Sequence, residues 1–68
     1  MHYTKRLHDL RIDHDLTQQD VASLLNTTKQ NYGMYENGKR KLNIEDLITL
    51  SKFYKVSTDY ILGLKDKP

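Results

Sequence analysis

An all-α fold of five short helices is what this 68-residue sequence predicts, and three observations predict it. Apolar residues recur at helical spacing, as in Leu7 and Leu10, or in Ile44, Leu47, Ile48, Leu50 and Tyr54. A residue suited to capping a helix, Thr17, Thr28, Asn43 or Ser57, stands before each later run. Stop signals follow the runs at Asn26, at Asn37-Gly38 and at Gly63, so that nothing is left for a strand, a repeat or a long linker.

The first helix is expected over Thr4 to His14, with Leu7, Leu10 and Tyr3 on one face and Arg11 beside it. Asp15 marks the exit, because Asp tolerates the left-handed conformation better than most residues. Thr17 caps the second helix, with Asp20 as its capping-box partner, and Val21, Ala22, Leu24 and Leu25 follow. Asn26 is the next left-handed exit and Thr28 the cap of the third helix. A turn this short forces the two helices to cross steeply, which calls for a small residue at the crossing, and Ala22 supplies it. The fourth helix starts at Asn43 and carries its apolar face through Tyr54 to Val56. Ser57 caps a short fifth helix containing Tyr60, Ile61 and Leu62, and the tail 65–68 is expected to fray.

Residues 1–68 are expected to form one small domain, near the lower size limit for an unaided apolar core. Cysteine is absent, which excludes disulfides and thiolate metal sites. No apolar run approaches membrane-spanning length and MHYTKRLHDL lacks the apolar core of a leader, so the expectation is a cytoplasmic protein with no membrane partner. The net charge of +2 is unevenly spread. Residues 1–27 sum to −1 and 42–68 to zero, while 28–41 carry Lys29, Lys39, Arg40 and Lys41 against Glu36 alone. If Glu36 has an internal partner, that segment presents four free cations, the pattern of a phosphate-docking surface; a solvated charge run is the bland alternative.

Lys29, Gln30 and Asn31 at the start of the third helix offer a cation for guanine acceptors and amides able to pair with adenine. Met34 is expected to point outward, where its thioether can meet a thymine methyl, since Tyr32 and Tyr35 fill the inward positions. His2, His8 and His14 repeat every six residues, which places them on different helix faces, so no metal site is expected. A chain this small cannot enclose a deep site for a catalytic triad, and no catalytic residue, enzyme activity or cofactor is assigned. Phe53 falls outside the apolar period of its helix and is either a loose core margin or a dimer contact.

The run LTQQDVASLLNTTKQNYGMYENGKRK, followed by IEDLITLSKFYKVSTDYILG, resembles the Cro and CI type helix-turn-helix regulators, the XRE family, from Leu7 to about Leu64. The resemblance implies a compact five-helix, lambda-repressor-like domain with its helix-turn-helix at about 17–36. It implies a sequence-specific regulator of transcription, a repressor, whose third helix reads a palindromic operator in the major groove of double-stranded DNA as a homodimer. On that pattern Lys29, Gln30, Asn31, Gly33 and Met34 fall on the base-reading surface. Thr17, Gln18, Asn37, Gly38, Lys39, Arg40 and Lys41 face phosphates, and Arg11 pairs with Glu36. Asp15 and Asn26 stand where the family has glycine, Tyr32 is large for its position, and Gly33 interrupts the recognition helix. Phe53, Tyr60, Ile61 and Leu64 are the candidate dimer contacts, because apolar residues crowd at that end. No small-molecule effector is expected within the chain. A protein-interaction module of the same fold, antitoxin-like or anti-repressor, is the other class the residues admit. The lysine-rich polar tip favours DNA over it.

Overall fold

The computed structural model describes residues 3–68, and His2 lies outside them. The chain forms α1 (Tyr3–Asp13), α2 (Gln18–Leu24), α3 (Lys29–Glu36), α4 (Ile44–Tyr54) and α5 (Thr58–Ile61), with no strand among the described residues. Side-chain oxygens begin every helix after the first. Thr17 accepts from the Asp20 amide while Asp20 accepts from that of Thr17, Thr28 accepts from Asn31, Asn43 from Asp46, and Ser57 from Tyr60. Each bond satisfies a first-turn amide that has no partner within its helix.

The helix exits depend on backbone handedness. Asp15 (φ 57°) and Asn26 (φ 61°) turn the chain after α1 and α2, and Gly38 (φ 80°) and Gly63 (φ 79°) do so after α3 and α5. The exit from α4 carries no such signal in the sequence: Lys55 takes φ 58° there, and Ser51 closes the turn by donating to the Val56 carbonyl.

Leu7, Leu10, Val21, Ala22, Tyr32, Tyr35, Leu50, Tyr54 and Ile61 form one core to which every helix contributes. Two expectations need correction. Ile44 is 73% exposed and Ile48 43%, so the apolar stripe on α4 is wider than the face its neighbours cover, and only Leu47, Leu50 and Tyr54 turn inward. Ile61 is fully buried, pinned beneath α5 by its place in the core, and is thereby removed from the dimer candidates. The 65–68 tail is exposed yet folds back, its Pro68 carbonyl accepting from the Ser57 amide and its Lys65 carbonyl from Arg6.

Two tyrosines lock the loop between α3 and α4. Tyr35 donates to Asp46 (2.7 Å) and accepts from Asn43 (3.1 Å), while the Tyr3 hydroxyl accepts from the Leu42 amide. Arg6 joins the first and last helices: it lies 4.0 Å over the Tyr60 ring and donates to the Tyr60 carbonyl at 2.9 Å.

Candidate nucleic-acid interface

The turn between α2 and α3 is held by the Thr27 amide, which donates to the Ala22 carbonyl at 2.9 Å. Ala22 is fully buried at this crossing, and so is Tyr32. The space for the tyrosine is found between helices, where its ring meets Tyr35 edge-on at 6.2 Å.

At the start of α3, Lys29 and Gln30 are exposed. Asn31 is half-buried and already occupied in part, its Nδ2 donating to Thr27 Oγ1 at 2.8 Å. One turn on, Gly33 and Met34 are half-buried. A methyl group at Gly33 would sit 3.5 Å from Gln18 Oε1, ordinary contact, so the neighbour over this glycine is the Gln18 side chain. That side chain donates to Glu36 Oε1 at 3.3 Å, which ties the residue assigned to phosphate contact to the end of α3. Thr17, the other such residue at α2, has its amide and its acceptor oxygen engaged with Asp20 and keeps only its hydroxyl proton for a phosphate.

Beyond α3 the loop closes on one carbonyl. The amides of Lys39 and Arg40 both donate to Met34 O, and Asn37 Oδ1 accepts from Lys39 as well. Asn37, Gly38, Lys39, Arg40 and Lys41 are all exposed on this loop. Among the described residues no ion pair involves Lys29, Lys39, Arg40 or Lys41.

Glu36 does have an internal partner. Arg11 Nε lies 2.7 Å from Oε2 and Nη2 3.1 Å from Oε1, a two-pronged pair whose side chains are 10% and 5% exposed. The third prong, Nη1, donates to the Leu16 carbonyl at 2.9 Å, fixing the exit from α1. His8 Nδ1 is 3.2 Å from both Arg11 Nη2 and Glu36 Oε1; without a proton it accepts from the first, and with one it donates to the second. Burial alone would raise the Glu36 pKa, but the donors around it, Arg11 foremost, hold it below the usual carboxylate value. The same environment shifts the buried phenols beside it. Desolvation and then the Glu36 charge push Tyr54 up to about 12, while desolvation and then the hydroxyl's interaction with the Glu36 carboxylate raise Tyr32; among the described residues the Tyr54 hydroxyl has no hydrogen-bond partner.

His14 caps the end of α1 by bonding the Leu10 carbonyl at 2.8 Å, with its ring 4.8 Å from that of Tyr54. Among the described residues no group of His, Cys, Asp and Glu is gathered for a metal ion, and no helix is long and apolar enough to cross a membrane. The roles of Thr27 and His8 were missed from sequence. The i,i+3 spacing of His8 and Arg11 on α1 is the signal that places that pair on one face, whereas Thr27 lies ahead of the α3 cap, where helical spacing gives no such signal.

Of the dimer candidates, Phe53 (43%) and Leu64 (63%) are exposed, whereas Tyr60 is half-buried under Arg6. Phe53 follows Ile44 by nine residues, two and a half turns, and so lies on the opposite side of α4. Leu42, Ile44, Leu47 and Leu62 line a single open groove with Tyr3.

Residues 7–61 match the helix-turn-helix family. The chain is 42% identical over 66 residues to YobD, an uncharacterized helix-turn-helix transcriptional regulator of Bacillus subtilis, covering 97% of this chain and 59% of that protein. It is 41% identical over 59 residues to the regulator ImmR of the same organism, covering 87% and 46%. A transcriptional regulator from Listeria innocua superposes with a TM-score of 0.86 at 31% identity, over 90% of this chain and 57% of that one. The chain thus spans about half the length of these relatives. With its core, both helices of the motif and the trailing helices inside the matched region, the chain belongs to the XRE-type helix-turn-helix family of transcriptional regulators.

Proposed function

We propose that the chain is the DNA-binding unit of a cytoplasmic transcription regulator that inserts α3 into the major groove and binds a palindromic operator as a homodimer. The observation that carries this reading is electrostatic. Arg11 neutralises the acidic residue of α3, and among the described residues Lys29, Lys39, Arg40 and Lys41 have no ionic partner around an exposed Lys29-Gln30 tip. Phosphate contacts on such cations position the helix, and the tip reads base edges. The size is compatible with two copies side by side: the longest dimension is 29 Å, against about 34 Å between successive major grooves on one face of DNA. The second copy docks on the apolar groove edged by the exposed Ile44 and the half-buried Leu62. Occlusion of a promoter by such a dimer requires no other surface, which makes repression the simplest output.

The test is a set of titrations against operator and random duplexes at several salt concentrations. Gln30→Ala is expected to cost about 1 to 3 kcal/mol per half-site on the operator and to leave random DNA unaffected. Lys39→Ala or Arg40→Ala is expected to weaken binding to every sequence and to flatten the salt dependence by a slope of about one. Identical behaviour of the two classes of variant, or no binding to either DNA, would transfer the function to a protein partner of the same surface.

A further inference from the structure

We propose that Thr27 is a positioning residue that presets the Asn31 carboxamide to read adenine. The proposal rests on the DNA-reading function and assigns it one base contact. Asn31 is held twice: its backbone amide donates to Thr28 Oγ1 at 3.1 Å, and its side-chain Nδ2 donates to Thr27 Oγ1 at 2.8 Å. Lys29 and Gln30, by contrast, are exposed and make no side-chain hydrogen bond among the described residues. The tip of α3 therefore combines two adaptable side chains with one whose orientation is set before DNA arrives.

A carboxamide has two N–H donors and one acceptor oxygen. With one donor committed to Thr27, Asn31 keeps one N–H and Oδ1, an adjacent donor and acceptor. Adenine alone presents the complement in the major groove, N7 as acceptor beside the N6 amino group as donor. Guanine offers two acceptors, cytosine a donor only, and thymine an acceptor beside a methyl, so each leaves one group of Asn31 unpaired. Thr27 itself lies in the turn ahead of the α3 cap and acts through the rotamer of Asn31, whose freedom it removes before binding.

The probe is a randomised duplex DNA pool, from which the motif enriched by the unaltered chain is compared with those of Thr27→Val, Thr27→Ser and Asn31→Ala. The unaltered chain and Thr27→Ser are expected to enrich adenine at one position of each half-site by roughly tenfold or more. Thr27→Val and Asn31→Ala are expected to lose that preference at the same position while the bases read by Gln30 stay enriched, and Thr27→Val is expected to keep its affinity for random DNA. A structural role for Thr27 would lower affinity everywhere and leave the preference intact. Should Thr27→Val fold poorly, the selected duplex is remade with purine or 7-deazaadenine at that position. Either analogue is expected to weaken the unaltered chain about tenfold and leave Asn31→Ala unaffected. Retention of the adenine by Thr27→Val, or an Asn31-dependent preference for another base, would overturn the assignment of Thr27. Failure of the unaltered chain to enrich any motif would overturn the DNA-reading function itself, and this contact with it.

Discussion

Glu36 ends α3 with a carboxylate almost wholly withdrawn from solvent, and Arg11 makes that tolerable. A buried pair of this kind is costly to break from one side, because the remaining charge has no partner. Arg11→Ala is expected to destabilise the fold by about 3 to 5 kcal/mol in urea denaturation, more than truncation of any surface lysine. The pair also has a pH signature. The pKa of Glu36 is depressed in the folded state, so its contribution is fully present above the unfolded value near 4.3 and is lost as pH falls through the lower folded value. Acid titration of stability is expected to be steeper for the wild type than for Glu36→Gln, with the two curves converging at the acid end. This pairing follows from the family pattern alone. The bonds from Gln18 and His8 to the same carboxylate do not, because they arise where α1, α2 and α3 converge, a junction no sequence window spans.

At the scale of the helices, starts were more legible than ends. Thr17, Thr28, Asn43 and Ser57 are small polar residues ahead of apolar runs, and each caps in the structure. Asp15 and Asn26 were equally readable as left-handed exits, but Lys55 was not, since lysine has no preference for positive φ. Lys55→Gly is therefore expected to raise stability by about 1 kcal/mol, seen as a higher thermal midpoint. The inner extent of α4 was misjudged for a different reason. Period alone marks Ile44 and Ile48 as apolar but cannot say that the neighbouring helices stop short of them. The glycine within α3 separates stability from binding. An added methyl at Gly33 meets only Gln18, at contact distance, so Gly33→Ala is expected to stabilise the helix by up to about 1 kcal/mol. If DNA approaches the backbone there, the same variant loses operator affinity; unchanged affinity would remove Gly33 from the base-reading surface.

For the whole molecule, the proposed two-fold assembly depends on a face that folding leaves uncovered. Ile44→Lys is expected to abolish self-association in equilibrium sedimentation with little change in unfolding free energy, because Ile44 is largely exposed in the single copy. Phe53→Lys, half a helical circumference away, is expected to leave association intact. The Arg6 clasp has another consequence, for the way the fold opens. α5 is only four residues long and would ordinarily be the first element to detach. Because Arg6 holds the Tyr60 and Lys65 carbonyls from α1, detachment must break contacts between the chain's first helix and its last. α5 is thereby joined to the main cooperative unit. In native-state hydrogen exchange its amides are expected to open with the same free energy as those of α1, and in Arg6→Ala they are expected to exchange by local fraying while α1 remains protected.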